Sequence, residues 1–295
     1  MYDIAALYEA ESVQHAIQLL QEHPNAQILA GGSDVLVQVR EGRRAGVELV
    51  SIYMLDELRG VSIDEEENIR IGSLTSFTHI TKNEIIQKYI NVLGEAVDMV
   101  GGPQIRAIGT IGGNTCNGVT SADSASTLMA WDAIIEITGP DGVRRVPIKD
   151  FYIKAKVVDL KPAEIQTAIL IPKTSYDRCF GHYIKYSMRN ALDIATTGCS
   201  VNVVLSEDKK HFERVRIAYG VAAPIPMRAR TAEEFLNGKE ITDENIKEFA
   251  LTVLEDIKPR DSWRASRALR RHISVVMAER ALRESIRLAG GVING

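Results

Sequence analysis

Two short glycine-rich turns carry the clearest chemical signal in the sequence, Leu29-Ala30-Gly31-Gly32-Ser33-Asp34 and Gly109-Thr110-Ile111-Gly112-Gly113-Asn114. Glycine lets a backbone approach a ligand closely, and successive free N–H groups in a tight turn form a concavity for an anion. Each turn closes an apolar stretch that reads as a strand, 27–30 for the first and 105–111 for the second. Small hydroxyl, amide and carboxylate side chains stand beside both. Two such turns predict two loops closing on one large anionic ligand, with a dinucleotide the natural candidate. The commoner phosphate motifs are absent: there is no G-x-G-x-x-G fingerprint and no G-x-x-x-x-G-K-[ST] loop.

Other reactive side chains fit around that ligand. Asp34 and Asp123 do not suit a pyrophosphate, because like charges repel in a site of low dielectric. They suit ribose hydroxyls, or the capping of a following helix. Lys185-Tyr186-Ser187-Met188-Arg189 reads as a strand with Lys185, Ser187 and Arg189 on one face. That face is either solvated or sets Lys185 in a cleft, where its charge stabilises electron density on a reduced cofactor ring. The six histidines form no pair at metal-ligand spacing. The basic run 264–271, headed by Trp263, reads as a solvated or subunit-facing helix with Ala265, Leu269 and Ile273 inward, rather than a nucleic-acid stripe.

Bulk properties narrow the class. A chain of 295 residues suits two compact domains, and 45% apolar with 25% charged residues is ordinary for a soluble protein. With 35 basic and 39 acidic residues the net charge is -4, which offers no general field to nucleic acid or an anionic membrane. No apolar run reaches the ~18 residues of a membrane span. The start, Met1-Tyr2-Asp3-Ile4, lacks the basic residues and apolar run of a signal peptide, so a cytoplasmic location is expected. Cys116, Cys179 and Cys199 are scattered and form no C-x-x-C, so any iron–sulfur cluster must sit on another chain.

The elements that position the turns follow from periodicity and punctuation. A helix over 11–22 is capped by Ser12, and 35–39 is either a strand or a helix capped by Ser33 or Asp34. Strands are expected at 48–53 and 68–71, and helices at 76–82, capped by Thr75, and at 92–100, stopped by Gly101-Gly102-Pro103. A hairpin joins 133–138 to 144–148 around Gly139-Pro140-Asp141-Gly142, and a strand follows at 165–171. Beyond a boundary at 172–177 come strands at 182–187, 198–205 and 214–219, then helices at 232–236, 244–256 and 266–288. Strands followed by helices make this second part α+β.

Taken together, these segments resemble a known family. Ala30-Gly31-Gly32-Ser33-Asp34 resembles the A-G-G-[ST]-D loop of the flavin subunits of molybdenum hydroxylases. Gly102-Pro103-Gln104-Ile105-Arg106 with the second glycine turn resembles their second motif. Asn117-Gly118-Val119-Thr120-Ser121-Ala122-Asp123, the segment from Lys185 to Arg189 and Ser262-Trp263-Arg264-Ala265-Ser266 extend the likeness over nearly the whole chain. It is greatest for the FAD-binding subunits of bacterial xanthine dehydrogenases.

The resemblance implies an α+β protein. Its residues 1–175 would be an FAD-binding domain of the vanillyl-alcohol-oxidase/PCMH type, with subdomains of about 1–55 and 56–175. Residues 176–295 would be a smaller α+β domain with a three-stranded antiparallel sheet and helices. FAD would be held noncovalently by Gln27-Ile28-Leu29-Ala30-Gly31-Gly32-Ser33-Asp34 and Gly109-Thr110-Ile111-Gly112-Gly113 around its pyrophosphate. Asp123 would lie on the ribityl or ribose side, with Ile165 and Lys185 near the ring system. No side chain would be catalytic, because the flavin carries the chemistry. Electrons would come from a small [2Fe–2S] subunit, served by a large molybdenum-cofactor subunit, and leave to NAD+ or oxygen.

The chain departs from the family pattern at Ser121 and Ser126, where many relatives have a proline near the Asp123 position, and at Val100, where some have an aromatic near adenine. It also lacks the cysteine-rich insertion of the flavin subunits of aromatic acyl-CoA reductases. Two further readings are the flavin subunit of a carbon monoxide dehydrogenase or other heterocycle or aldehyde hydroxylase, and a flavin-free nucleotide-binding or regulatory module.

Overall fold

A computed structural model describes residues 2–294. The chain begins β1 (Ile4–Glu9), α1 (Val13–Glu22), β2 (Gln27–Leu29), α2 (Val35–Arg40), β3 (Val47–Ser51). Ser12 starts α1 by accepting the His15 amide at 3.0 Å, which leaves Ala16, Ile17, Leu19 and Leu20 facing inward. The three strands form a parallel sheet in the order β1-β3-β2. Parallel neighbours need crossover connections, here α1 and α2. The run 35–39 is therefore helical despite its valines. Gly32 takes φ +71°, turning the chain so that the Leu36 amide reaches the Gly32 carbonyl at 3.0 Å.

The next stretch holds β4 (Val61–Ile63), β5 (Ile69–Gly72), α3 (Phe77–Lys82), α4 (Glu84–Tyr89), α5 (Asn91–Asp98), α6 (Pro103–Ile108), α7 (Ile111–Cys116) and α8 (Asp123–Ala130). It continues with β6 (Ile134–Gly139), β7 (Gly142–Pro147), α9 (Ile148–Phe151), β8 (Tyr152–Lys154), β9 (Val157–Val158), β10 (Ile165–Ile171) and α10 (Lys173–Tyr176). An antiparallel sheet runs β4-β5-β10-β6-β7, with every residue of the central strand β10 buried. The β6–β7 hairpin turns at Pro140-Asp141, and Gly142 supplies the positive φ, 106°, just after that tip.

Two sequence expectations fail in this stretch. The run 105–111 is not a strand: extended Gly102 and Pro103 at the first helical position open α6, and α7 begins at Ile111 after two extended residues. Proline there starts a helix because its missing N–H would be unpaired anyway. The cap of α3 is Ser76, not Thr75. Ser76 accepts the His79 amide at 3.3 Å, whereas the Thr75 hydroxyl donates to the Gly60 carbonyl at 3.0 Å and accepts its amide at 2.9 Å.

The remainder comprises β11 (Phe180–Tyr186), β12 (Thr197–Leu205), β13 (Phe212–Gly220), β14 (Met227–Arg228), α11 (Arg230–Leu236), α12 (Asp243–Asp256) and α13 (Arg267–Leu288). Its antiparallel sheet runs β11-β12-β13-β14, so a two-residue fourth strand adds to the three expected. Because β11 ends at Tyr186, Ser187 and Arg189 lie in the loop beyond it and do not share a strand face with Lys185. α8 is buried along its full length and packs on β12 and β13. The largest apolar core consequently joins Ile69, Ile135 and Trp131 to Tyr183, Val204 and Ala218 of the last sheet.

Candidate functional site

The fold brings the two glycine turns into contact. β2 delivers Gly31 against the end of α6, where a Cβ would stand 1.9 Å from the Ile108 carbonyl oxygen and 3.4 Å from the Gly109 amide nitrogen. No larger residue fits there without moving backbone. In the second turn Gly112 is equally confined, since its Cβ would meet the Ser73 Cβ at 2.6 Å.

Their hydrogen bonding differs, and this sharpens the expectation of free amides in both. The second turn spends four of the five N–H groups from Gly109 to Gly113 inside the protein, the Thr110 amide having no acceptor among the described residues. Gly109 donates to the Ile105 carbonyl (2.7 Å), Ile111 to Thr75 (3.1 Å), Gly112 to Ser73 (2.9 Å), and Gly113 to the Thr110 hydroxyl (3.1 Å). Among the described residues, the amides of Gly31, Gly32, Ser33 and Asp34 have no acceptor. Four consecutive free donors, three of them on half-buried residues, form the concavity that attracts an anion. The exposed Asp34 precedes α2 but its carboxylate caps nothing. Behind the second turn, Ser73 Oγ and Gln166 Nε2 are buried without partners among the described residues. Gln166 Oε1 accepts from Thr115 Oγ1 (2.8 Å) and Cys116 Sγ (3.0 Å), and burial pushes the Cys116 thiol up to about 12, which leaves it unreactive.

A second cluster joins the middle of the chain to its last third. Asp123, at the first turn of α8, accepts the Tyr183 hydroxyl on Oδ1 and the Lys185 ammonium on Oδ2, both at 2.8 Å. The Lys185 Nζ also donates to the Met99 carbonyl at 2.9 Å. Both charged side chains are only 7% exposed. Burial raises the Asp123 pKa, with Lys185 and Tyr183 pulling the other way, and burial raises Tyr183 well above its ordinary value. Asp123 is thus no helix cap, since Ala122 holds that position.

Tyr183 and the Met99 carbonyl are additions that the sequence reading missed. Alternation along β11 places Tyr183 on the same face as Lys185, which is the signal that finds it. Ile165 is not brought to this cluster: its side chain packs with Leu58 and Leu74 in the core of the N-terminal sheet. Val100 rests half-buried on the largest core. Among the described residues no group of His, Cys, Asp or Glu could hold a metal ion, and no helix is long and apolar enough to cross a membrane.

A free-amide loop braced on a second glycine turn, in a chain that continues into an α+β unit packed on α8, is the frame of a flavin-binding oxidoreductase subunit. The chain belongs to the family of the FAD binding domain in molybdopterin dehydrogenase, which matches residues 3–174, and the CO dehydrogenase flavoprotein C-terminal domain matches residues 182–285. It is 39% identical to the xanthine dehydrogenase FAD-binding subunit of Escherichia coli O157:H7, over 99% of both chains. To the carbon monoxide dehydrogenase medium chain of Hydrogenophaga pseudoflava it is 28% identical, over 92% of this chain and 93% of that protein. The solved carbon monoxide dehydrogenase from that organism superposes with a TM-score of 0.91 at 27% identity, covering 97% of this chain and 98% of the other.

Proposed function

We propose that this chain binds FAD noncovalently and serves as the electron-transfer subunit of a xanthine dehydrogenase-like molybdenum hydroxylase. The observation that carries the reading is the row of four unpaired amides, Gly31 to Asp34, held against the second glycine turn. That cradle fits a pyrophosphate: its amides are unpaired, and at Gly31 and Gly32 no Cβ stands on the backbone that a phosphate would approach. The segment Gln27 to Asp34 would bind the pyrophosphate, while Gly109 to Gly113 act as a rigid wall whose own amides, Thr110 excepted, are already used. Asp123, paired with Lys185, would face the ribityl side, and Lys185 would set a fixed positive charge toward the ring end of the site. Ile165 would contribute through its backbone, as its side chain is in the core.

When bound, FAD supplies the redox chemistry, between a [2Fe–2S] cluster on a small partner subunit and NAD+ or oxygen. A large molybdenum-cofactor subunit would oxidise the substrate, and the location proposed is the cytoplasm. The proposed units are residues 1–175, with subdomains of about 1–55 and 56–175, and residues 176–295. Identity of 39% to a xanthine dehydrogenase subunit against 28% to a carbon monoxide dehydrogenase chain favours the purine-type complex. The test is direct. Purified protein should show oxidised-flavin absorption bands, or regain them on adding FAD, and the complete complex should reduce NAD+ with xanthine. A colourless protein that FAD cannot reconstitute would refute flavin binding. A yellow protein whose complex ignores xanthine would refute only the substrate.

A further inference from the structure

Tyr183 belongs to the buried cluster around Asp123, yet the function proposed above gives it no part. It is 2% exposed, and among the described residues its hydroxyl has one hydrogen-bond partner, Asp123 Oδ1 at 2.8 Å. A buried hydroxyl is costly unless it is bonded, so a tyrosine rather than a phenylalanine at this point is tied to the carboxylate.

The last sheet is shaped around that bond. Lys185, Gly198 and Gly220 stand in register across β11, β12 and β13. A Cβ at Gly198 would lie 2.9 Å from the Tyr183 hydroxyl oxygen, and one at Gly220 would lie 2.8 Å from the Thr120 carbonyl oxygen. Two adjacent glycines thus leave room for the phenol and for the segment that leads into α8. That segment is fastened at both ends. The Val221 amide donates to the Thr120 carbonyl at 3.1 Å, and the Ser124 hydroxyl donates at 2.7 Å to Oδ1 of Asn114 in the second glycine turn. Asp123 is held between these two ties, with Oδ1 given to Tyr183 and Oδ2 to Lys185.

This division decides how charge is balanced. Tyr183 and Lys185 are two residues apart on one face of β11, so a neutral donor grips one carboxylate oxygen and a cation grips the other. Burial works against a charged carboxylate, while donation from a neutral hydroxyl favours it without adding charge. Without the phenol, the carboxylate is less firmly held in its charged form, and the Lys185 ammonium is less fully offset.

We propose that Tyr183 is a positioning residue for the flavin: its hydroxyl fixes the Asp123 carboxylate that offsets Lys185, and so sets the net charge presented to the ring end of the site. The assignment rests on the FAD binding proposed above. Tyr183 acts through Asp123 and Lys185, and it governs how strongly the site prefers reduced flavin to oxidised flavin. Reduction adds electron density to the ring, so a Lys185 charge left uncompensated favours the reduced form.

The test titrates the full chain with oxidised FAD and, under anaerobic conditions, with reduced FAD. The ratio of the two dissociation constants reports the preference of the site, whereas a loss of packing weakens both alike. Tyr183→Phe should move the ratio roughly tenfold toward reduced FAD, the scale of one hydrogen bond to a charged group, or about 30 mV for a two-electron couple. Gly198→Ala crowds the hydroxyl without deleting it and should move the ratio the same way; it decides the matter if Tyr183→Phe does not fold. Tyr219→Phe removes a second buried phenol, one that donates to the Ser274 carbonyl at 2.8 Å, and should leave the ratio at the wild-type value. An unchanged ratio in folded Tyr183→Phe, equal weakening of both forms, or a shift toward oxidised FAD overturns the assignment. So does an equal shift in Tyr219→Phe. Wild type that binds neither form refutes the FAD binding itself, a failure read before any variant is made.

Discussion

Gly31 is where a single methyl group decides the most. A Cβ 1.9 Å from the Ile108 carbonyl cannot be absorbed by a flexible side chain, because both partners are backbone. Gly31→Ala should therefore impose strain of about 1–3 kcal/mol on the contact between the turns, enough to weaken FAD retention roughly tenfold at 1.4 kcal/mol per decade. Flavin-to-protein absorbance after gel filtration reads this, and full flavin content in the variant would contradict the cradle. The Asp123–Lys185 pair calls for a cycle. Removing either charge, as Asp123→Asn or Lys185→Met, strands its partner at 7% exposure and should cost about 3 kcal/mol. The double variant should recover part of that loss in urea titrations, whereas strictly additive losses mean the two do not act as a unit. Burial holds the Asp123 pKa above its ordinary 3.8, so in the window between that value and the raised one the native carboxyl holds a proton that the unfolded chain has released, while above the window it is the ionised partner of Lys185. Its contribution to stability is full below that value and is lost as pH rises through the raised pKa. Asp123→Asn should flatten this part of the stability–pH profile; an unaltered slope would assign it to other groups.

Among the elements, the caps and turns that depend on neighbours in sequence were legible. Ser12 opening α1, the β6–β7 hairpin and the three long strands of the last sheet all follow from local residue types. The run 105–111 was not, because Ile105, Ile108 and Ile111 in an apolar stretch imitate a strand unless Gly102-Pro103 is weighed as a helix start. Leu269 misled in the same way, standing 42% exposed while Arg270 is buried: helical spacing cannot tell whether an arginine will be drawn inward by a carbonyl that precedes a strand far away in sequence. The contact of Gly31 with Ile108 was equally invisible, since it depends on how β2 and α6 pack rather than on either segment alone. The corrected assignment makes its own prediction. Thr110 caps α7 by accepting the Gly113 amide, so Thr110→Val should lower stability by about 1 kcal/mol. A melting temperature equal to wild type would show that this turn holds without its cap.

The whole molecule is tied together through α8. Its residues lie between the five-stranded sheet's core and the last sheet, and Asn202 donates to the Ala130 carbonyl at 2.8 Å across that boundary. Asp132 extends the junction with ion pairs to Arg216, at 2.7 Å, and Arg228. A continuous core predicts one cooperative unfolding transition, followed by fluorescence and circular dichroism together. Two separate transitions would show independent halves. Gly181→Ala presses on this junction, since its Cβ would lie 2.2 Å from Trp131 Cη2, and should cost about 1–3 kcal/mol. An unchanged urea midpoint would show that the indole can shift freely. The bond between Asp123 and Lys185 spans 62 residues of sequence. During synthesis at about 5–20 residues per second, the Asp123 carboxylate waits roughly 3–12 s for its cation to be added. A growing chain thus carries both glycine turns well before the ring end of the cleft can close, which sets cofactor capture late in the making of the protein.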